Sequence, residues 1–482
     1  DEQRVGVLLP PGRGGAIVNL ALALLGRTAV NLNHTAGNAQ VARMCELAQV
    51  RTVISSALYL RRLVGTEVPG RRVLVEDLLP GIGKIGLIAA GLGALLLPHR
   101  LVARARAGDV AAIVFSSGST GDPKGIELTH RQLIANCEAV FTALDVDGAR
   151  DVLLSPLPLF HSFGLVHGLW VGLCQGLPLA NQPDPTDGKA LGELAQKSRA
   201  TIMLSTPTFV RGYLRRIEPE QLRTLRFAVV GAERCPAELR AQFHERFKAE
   251  LFEGYGCTEL APAVAFNLPT VKRDGVTEVR SRDGSVGRAL PGVQAFATDP
   301  GDGHALPPGS EGLLVVRSPG RMRGYLDRPD LTEKAFVLGG YNTGDIGRVD
   351  AEGFIFITGR LARFAKIGGE MVPLDNVERI LQEALGAAAG AESALELAVA
   401  AVPDEGRGER LVVLHTGYSG DWDALFKALD GNPALWRPKS RDVRQVATIP
   451  KLGTGKRDLA ALKKLALEGT AGKPAEQAAT PA

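Results

Sequence analysis

The segment Ser116–Gly125 has the sequence SSGSTGDPKG and combines the residue types that bind phosphate. Its glycines allow backbone N–H groups to approach an anion closely, and its hydroxyl groups add hydrogen-bond donors for phosphate oxygens. Lys124 adds a positive charge. We therefore predict a phosphate-binding loop to which these residues contribute: Ser116, Ser117, Gly118, Ser119, Thr120, Gly121, Lys124 and Gly125.

The surroundings of this segment distinguish it from other glycine-rich sequences. Pro123 stands where a Walker A loop needs glycine, and Gly125 stands where that loop needs Ser or Thr, which implies a different phosphate-binding architecture. A flexible linker is disfavoured because the segment follows the apolar run Ala111–Phe115. It also precedes Thr129-x-x-Gln132, which has the pattern of a helix capping box.

The composition is that of a globular protein rather than a disordered chain, a fibre or a small disulfide scaffold. Of the 482 residues, 45% are apolar and 22% are charged, and the formal net charge is +4. This mild basic excess does not predict nucleic-acid binding, although it permits an acidic partner. The five cysteines include no C-x-x-C pair, so neither a disulfide framework nor a zinc knuckle is expected and a reducing compartment is favoured.

The longest apolar run, Ile85–Leu97, is too short for a membrane-spanning helix. We expect a buried segment here, with a shallow membrane contact as the alternative. The sequence begins with Asp and shows no charged-then-apolar signal before its first apolar run, Val5–Leu9. We therefore expect the chain to begin inside a longer polypeptide.

Short aliphatic runs alternate with amphipathic stretches through the first half of the chain, which predicts βαβ units and a mainly parallel sheet. From about Gly287 the pattern changes to strands separated by Gly and Pro, such as Gly312–Arg317 and Phe354–Thr358, which favours antiparallel sheet. The parallel strands are predicted at Val5–Leu9, Val53–Ser55, Val73–Val75, Ala111–Phe115, Val152–Ser155, Ile202–Ser205 and Phe227–Val230.

These patterns predict an α/β fold with a large N-terminal domain and a small α+β domain. The small domain is expected to contain a helix at 374–385 and strands at 397–402 and 410–415. The predicted boundaries are 1–358 for the large domain with a β-rich subdomain at about 287–358, 359–363 for a hinge, 364–467 for the small domain and 468–482 for a disordered tail.

Five motifs in this order resemble the adenylate-forming superfamily, which includes acyl-CoA synthetases, peptide-synthetase adenylation domains and luciferases. They are the loop Ser116–Gly125, EGYGCTE at Glu253–Glu259, YNTGD at Tyr341–Asp345, Gly359–Arg360, and PKLGTGK at Pro450–Lys456. The resemblance implies that a carboxylate attacks the α-phosphate of ATP and gives an acyl-adenylate and pyrophosphate. It also implies Mg²⁺ as a cofactor and a small domain that rotates between the two half-reactions.

The resemblance assigns catalytic roles to individual residues. Thr258 would hydrogen-bond the α-phosphate, Glu259 would hold the metal, and Lys456 would bridge the carboxylate and the α-phosphate. His161 resembles the family's gate between acyl pocket and thiol tunnel, although a lone histidine could also simply be packed. The acyl pocket candidates are Phe160, Phe163, Phe209 and Leu260.

The nucleotide contacts and the hinge are implied in the same way. Asp345 would accept the two ribose hydroxyls, and Arg360 would support the ribose. The hinge position is Ala362, where the family often has Asp or Lys, so the tendency to rotate would differ here. Adenine would lie between Tyr255 and the strip formed by Gly231, Ala232 and Glu233.

Two strips, Asn31–Gly37 and Arg363–Val372, are similar to the acyl carrier protein synthetase half of bacterial bifunctional enzymes that reacylate 2-acylglycerophosphoethanolamine. This similarity implies a long-chain fatty acid, acyl carrier protein as thiol acceptor, an attached or associated lysophospholipid acyltransferase, and a place at the cytoplasmic face of the bacterial inner membrane. Carriers of this kind are acidic, and a basic surface would attract them. The candidate arginines are Arg211, Arg215, Arg216 and Arg363.

Two other functions stay open from the sequence. A ligase with the same mechanism could use coenzyme A as acceptor. The chain could also be a catalytically silent nucleotide-binding module that regulates a membrane partner, although the presence of Lys456, Thr258 and Glu259 together argues against silence.

Overall fold

The computed structural model describes residues 2–63, 65–97, 102–117, 123–273, 275–368, 370–389, 395–404, 406–451 and 457–468. These residues form two compact units, a large one that ends at Ile357 and a small one that begins at Thr358. Most of the predicted tail, 469–482, lies outside the described residues, whereas Glu468 is the last residue of a helix.

The first part of the large unit is built on parallel strands. β1 pairs with β2 and β3, β3 with β4, and β2 with β5, all in parallel, while β5 and β6 form an antiparallel hairpin. The elements are β1 (Arg4–Leu8), α1 (Arg13–Leu24), β2 (Thr28–Asn31), α2 (Asn38–Leu47), β3 (Thr52–Ser55), α3 (Ala57–Arg62), β4 (Arg71–Leu74), α4 (Val75–Leu96), β5 (Val110–Ser117) and β6 (Pro123–Thr129).

A second sheet follows, with β8, β7, β9, β10 and β11 parallel and in this spatial order and with β12 antiparallel beside β11. A π-helix, Phe163–Trp170, precedes α6. The elements are α5 (His130–Leu144), β7 (Leu153–Ser155), α6 (Val171–Gln175), β8 (Leu179–Asn181), α7 (Gly188–Ser198), β9 (Ile202–Ser205), α8 (Pro207–Arg216), β10 (Phe227–Val230), α9 (Ala237–Phe247), β11 (Glu250–Gly256) and β12 (Ala263–Phe266).

The remainder of the large unit is mainly antiparallel. β15 extends the second sheet beside β12, β18 extends the first beside β6, and β16, β17, β20 and β19 form a sheet in which β21 pairs with β20. The elements are β13 (Val271–Arg273), β14 (Val276–Glu278), β15 (Arg288–Ala289), β16 (Gln294–Thr298), β17 (Gly312–Arg317), β18 (Gly324–Tyr325), α10 (Pro329–Ala335), β19 (Phe336–Val337), β20 (Gly340–Val349) and β21 (Ile355–Arg360), the last three residues of which belong to the small unit.

The small unit packs α11 on one face of a mixed sheet ordered β23, β22, β25, β24, with β26 beside β25. The apolar side of α11 is buried at Val377, Leu381 and Leu385, which is the periodicity expected of a helix on a sheet. The elements are β22 (Phe364–Ile367), β23 (Glu370–Pro373), α11 (Leu374–Ala389), β24 (Leu397–Asp404), β25 (Gly408–His415), α12 (Trp422–Phe426), β26 (Val443–Gln445) and α13 (Leu459–Glu468).

The α/β fold class predicted from the sequence is confirmed, and β9, β10 and β17 begin and end where the sequence predicts. The predicted capping box is also present, because Thr129 and Gln132 cap each other's backbone N–H groups at the start of α5. One connection was predicted wrongly. The run Ala111–Phe115 is followed by the strand β6 and not directly by a helix, because β6 pairs antiparallel with β5 before α5 begins.

The expectation that Ile85–Leu97 is buried is wrong. This run forms the second part of α4, and its large side chains, including Ile85 and Leu95, are exposed. Helix periodicity and apolar composition cannot separate a buried helix from an exposed one, because they say nothing of what lies beside it. Among the described residues, no helix has both the length and the apolar character needed to cross a membrane.

Candidate active site

The β5–β6 hairpin holds the two ends of the predicted phosphate loop. Ser116 lies opposite Lys124, and Phe115 lies opposite Gly125. Gly118, Ser119, Thr120 and Gly121 lie outside the described residues. Gly125 has a packing role of its own, because a Cβ there would come within 3.0 Å of Leu326 and 3.2 Å of the Phe115 ring.

Lys124 and Glu259 are brought together by a residue that the sequence reasoning missed, Tyr325. The pairing of β18 with β6 places Tyr325 opposite Ile126, and the Lys124 Nζ lies 5.7 Å from the centroid of the Tyr325 ring. The Tyr325 hydroxyl donates to Glu259 Oε1 at 3.0 Å. Burial, and then the Glu259 charge, raise the pKa of Tyr325, so the hydroxyl stays protonated as a donor.

Thr258 shares a hydrogen bond of 3.1 Å between its Oγ1 and the Oγ of Ser162. Ser162 directly follows the predicted gate residue His161, and it was not predicted to be functional. Its position inside the strip PLFHSFG was the available signal. The hydrogen bond ties the segment with His161 to the segment with the predicted α-phosphate ligand.

The predicted adenine and ribose residues Tyr255 and Asp345 are in direct contact. The Tyr255 hydroxyl donates to Asp345 Oδ2 at 2.5 Å, although the two residues are 90 positions apart. The side chain of Asp345 is almost fully buried, at 2% exposure. Burial and the charge of Asp345 raise the pKa of Tyr255 well above its usual value, so this hydroxyl also remains a donor.

The strip Gly231–Ala232–Glu233 follows β10, at the carboxyl end of the second sheet, where ligands bind in open α/β sheets. Ala232 has a φ of 69°, in the left-handed region. The Glu233 carboxylate accepts a hydrogen bond of 2.6 Å from Thr208 at the start of α8. A Cβ on Gly231 would meet the Phe163 ring at 3.5 Å, so the predicted adenine strip borders an acyl-pocket candidate.

The four acyl-pocket candidates do not form one uniform surface. Phe163, Phe209 and Leu260 pack on the same apolar core, in which Leu260 has no exposed surface. Phe160 instead lies against two histidines, with ring centroids 5.3 Å from His34 and 4.7 Å from His161.

A buried polar pair behind this region was also missed by sequence reasoning. Asn136 on α5 donates through Nδ2 to the carbonyls of Leu260 and Ala263, at 3.2 and 2.9 Å, and its Oδ1 lies 2.8 Å from His167 Nε2. Since Oδ1 is the acceptor, His167 must carry its proton on Nε2. Burial lowers the pKa of His167 to about 3, so the imidazole is neutral.

This pair fixes the backbone immediately after Thr258 and Glu259 to α5 and to the π-helix. Phe163, on the same π-helix, stands edge-on to His167 with ring centroids 5.6 Å apart. π-Helical segments are rare and occur frequently at functional sites.

In the small unit, Lys456 lies within 452–456, outside the described residues. The residues on either side of this segment are paired with each other, since Lys451 and Arg457 form an antiparallel bridge. Arg457 makes an ion pair with Glu378 on α11. Arg360 is exposed at the end of β21, and Ala362 lies in the 3₁₀ turn Leu361–Arg363.

The prediction that Arg363 belongs to an exposed, partner-binding surface is wrong. Its guanidinium is buried and donates to Asp375 at 2.6 Å, to Glu378 at 2.8 Å and to the carbonyl of Val399 at 2.7 Å. A side chain with all these partners in the core of the small unit cannot meet another protein. Arg211, Arg215 and Arg216 are exposed on α8.

Comparison of the chain with known proteins identifies its family. A family model described as AMP-binding enzyme matches residues 1–326, about two thirds of the chain. The chain belongs to the AMP-binding enzyme family. A feruloyl-CoA synthase from an Amycolatopsis species is 32% identical over 72% of the chain and 68% of its own length.

Other family members are similar over different shares of the chain. A long-chain-fatty-acid–CoA ligase from Bacillus subtilis is 29% identical over 72% of the chain, and the match spans only 60% of that ligase. A medium-chain fatty-acid–CoA ligase from Escherichia coli is 34% identical over 57% of the chain and 47% of its own length. ATP-bound MatB from Rhodopseudomonas palustris superposes with a TM-score of 0.75 at 25% identity, over 96% of this chain and 88% of that one.

Proposed function

We propose that this AMP-binding family member is a long-chain fatty acid:acyl carrier protein ligase that works through an acyl-adenylate. The observation that carries the proposal is the Lys124–Tyr325–Glu259 arrangement, which joins the phosphate hairpin to the predicted metal ligand. The printed names of relatives as fatty-acid–CoA ligases support the activation of a fatty acid.

In this proposal ATP binds along the hairpin. Lys124 and the loop residues hold the β- and γ-phosphates, and Thr258 donates to the α-phosphate. Glu259 holds Mg²⁺, which commonly binds through one or two carboxylates together with substrate phosphates and would neutralise charge on them. Asp345 and Arg360 hold the ribose, while Tyr255 and the strip Gly231, Ala232 and Glu233 enclose adenine.

The first step forms a bond between a carboxylate oxygen and the α-phosphorus and releases pyrophosphate. Lys456 would stabilise the charge that develops between the two reactants. In the second step a thiol sulfur attacks the acyl carbon, and AMP leaves. We include in the proposal the domain division at 358, a rotation at 359–363 around Ala362, and His161 as gate to a pocket formed by Phe160, Phe163, Phe209 and Leu260.

Acyl carrier protein is proposed as acceptor on the strength of the strips Asn31–Gly37 and Arg363–Val372, and of three exposed arginines of one helix that would attract an acidic carrier: Arg211, Arg215 and Arg216. The product would serve lysophospholipid reacylation by a fused or associated acyltransferase at the cytoplasmic face of a bacterial inner membrane.

Coenzyme A is the second candidate acceptor, and the names of the relatives favour it. The decisive experiment gives the purified chain palmitate, Mg-ATP and either acyl carrier protein or coenzyme A, and measures acyl-thioester and AMP. We expect acyl-carrier product and at most traces of acyl-coenzyme A. A preference for coenzyme A would show that acyl carrier protein is not the acceptor, and it would leave the proposal of adenylation unchanged.

A silent nucleotide-binding module is tested by fatty-acid-dependent exchange of pyrophosphate into ATP. We expect exchange, and we expect Glu259→Gln to lower it strongly. The matched control is Glu311→Gln, an exposed glutamate outside the candidate site. Absence of exchange in the unaltered chain with every fatty acid tested would overturn the ligase assignment.

A further inference from the structure

The second part of α4 exposes an apolar surface that no neighbouring element covers within the described residues. The helix is interrupted at Gly83, whose φ of 66° and ψ of 167° are not helical. After it, large side chains project on one face, with spacings of three and four residues. These are Ile85, Ile88, Leu92, Leu95 and Leu96, of which Ile85, Leu95 and Leu96 are 85%, 76% and 69% exposed. We call these five residues the α4 surface.

The composition of this helix is unusual for one that faces water. From Leu78 to Leu97 it contains no acidic residue and a single basic one, Lys84, and the other positions after Gly83 are Gly, Ala and two further leucines, Leu87 and Leu97. Contiguous exposed apolar surface of this kind marks a binding site on a soluble protein. A 13-residue helix is about 20 Å long, which is less than the ~30 Å hydrocarbon core of a bilayer. The helix can therefore lie along a membrane but cannot cross one.

Positive charge surrounds the α4 surface in the sequence. Residues 61–106 contain eight Lys or Arg against three Asp or Glu, whereas the net charge of the chain is only +4. The arginines flank both ends of the helix and are exposed where the structure describes them. Before the helix these are Arg61, Arg62, Arg71 and Arg72, and after it Arg104 and Arg106.

Local contacts extend the same region. The Ala103 N–H donates to the carbonyl of Leu24, the last residue of α1, at 2.7 Å, which places the exposed Leu24 and Leu25 beside the arginine-bearing segment that follows α4. The exposed Glu76 carboxylate accepts from the Ser56 hydroxyl and the Ala57 N–H, and these bonds hold it at the start of α3. Apolar side chains and exposed arginines therefore lie together, and the acidic residues of α4, Glu76 and Asp77, are confined to its first turn.

We propose that the α4 surface docks lengthwise into the headgroup region of an anionic lipid bilayer, with the flanking arginines against lipid phosphates. Interfacial helices bind through buried apolar area combined with attraction to anionic lipid. A second copy of the chain is a poorer occupant, because pairing two such surfaces would bring the arginine sets together. The inference deepens the membrane location in the proposed function, but vesicle binding does not depend on ligase activity.

The test is flotation of the full chain with vesicles of phosphatidylglycerol and phosphatidylcholine, compared with vesicles of phosphatidylcholine only. We expect binding to the anionic vesicles that is at least tenfold stronger and that weakens with added salt. The combined change Ile88→Glu, Leu92→Glu and Leu95→Glu should lower this binding at least tenfold. Val276→Glu, which also adds a charge at an exposed apolar position, is the matched control and should bind as the unaltered chain does.

A second variant, Arg104→Gln with Arg106→Gln, isolates the charge and should lower binding to anionic vesicles by roughly tenfold while sparing the weak binding to neutral ones. Pyrophosphate exchange and thermal unfolding show that each variant is folded. Equal binding of the unaltered chain and the triple variant would overturn the inference. So would a dimer in solution that the triple variant dissociates while vesicle binding is absent. Exchange that persists when vesicle binding is lost separates this failure from failure of the proposed function.

Discussion

Two charged sites, one in each unit, hold their carboxylates in different ways. In the large unit, the Glu259 carboxylate accepts a hydrogen bond from the hydroxyl of Tyr325, a neutral donor, and it makes no ion pair with any described residue. In the small unit, two arginines meet two carboxylates: Arg363 contacts Asp375 and Glu378, and Arg457 contacts Glu378. The first arrangement leaves a negative charge, and the second is balanced.

This difference distinguishes a carboxylate that can bind a ligand from charged residues that stabilise the fold. A carboxylate with a neutral donor is oriented but can still attract a cation, as a metal ligand must. A balanced cluster has no charge to offer, and its buried ions are costly to separate. We therefore read Glu259 as part of the chemistry. We read the Arg363 cluster as the anchor of α11 and of the chain that follows Lys456.

The largest expected loss of activity comes from changing Lys456. This lysine directly precedes Arg457 of the anchoring cluster, and we assign it a catalytic role. Lys456→Ala should lower fatty-acid-dependent pyrophosphate exchange by about a thousandfold, because a single charged donor in the transition state contributes on this scale. ATP binding should be retained. Lys451→Ala, at the other end of the same segment, is the control and should exchange normally. Undiminished exchange in Lys456→Ala would remove its assigned role.

The second largest expected effect is a loss of stability when the Arg363 cluster is disrupted. Glu378→Ala would leave the buried Arg363 with Asp375 as its remaining carboxylate partner, and we expect a loss of about 3 kcal/mol in the stability of the small unit. Urea unfolding followed by tryptophan fluorescence would measure it, since Trp422 and Trp436 lie in this unit. Glu383→Ala removes an exposed pair with Arg379 and should cost under about 0.5 kcal/mol. Similar losses in both variants would contradict the comparison.

The buried Asn136–His167 pair of the large unit should instead make the stability of the fold depend on pH. The pKa of His167 is about 3 in the folded chain, against about 6.5 when unfolded. Between these two pH values the unfolded state therefore binds a proton on His167 and the folded state does not. Stability should therefore fall as the pH drops below about 6.5. Between pH 7 and pH 5 the loss from this group should be about 2 kcal/mol. His167→Gln should lose that part of the acid sensitivity; an unchanged pH profile would show that His167 is not protonated on unfolding.

The smallest effect is expected at Tyr325, which positions Glu259. Tyr325→Phe removes one hydrogen bond, worth about 1 kcal/mol, and should lower exchange about fivefold. The Mg²⁺ concentration needed for half-maximal exchange should rise, which a purely structural role would not produce. Phe336→Leu, a change outside the candidate site, controls for nonspecific loosening of the same region. A normal metal requirement in Tyr325→Phe would argue against Glu259 as the metal ligand.

The candidate site residues could be proposed from the sequence because short motifs bind ligands through local backbone and side-chain chemistry. The loop Ser116–Gly125 and its capping box at Thr129 are local patterns, and the structure confirms the capping box. Tyr325, Ser162 and His167 could not be predicted in the same way, because their partners lie 66, 96 and 31 residues away. A lone Tyr, Ser or His in an apolar stretch has no pattern that distinguishes it from packing.

The sequence by itself determined the α/β class, the order of the motifs and the residue types available for phosphate and metal. Only the tertiary structure decided which charges are matched and which apolar faces are covered. Arg363 and Arg211 are the same residue type, yet one is buried against two carboxylates and the other is exposed. Ile85 and Val377 both lie on apolar helix faces, yet only Val377 meets a sheet. Burial and charge balance depend on neighbours that are distant in the chain, and for that reason local composition does not specify them.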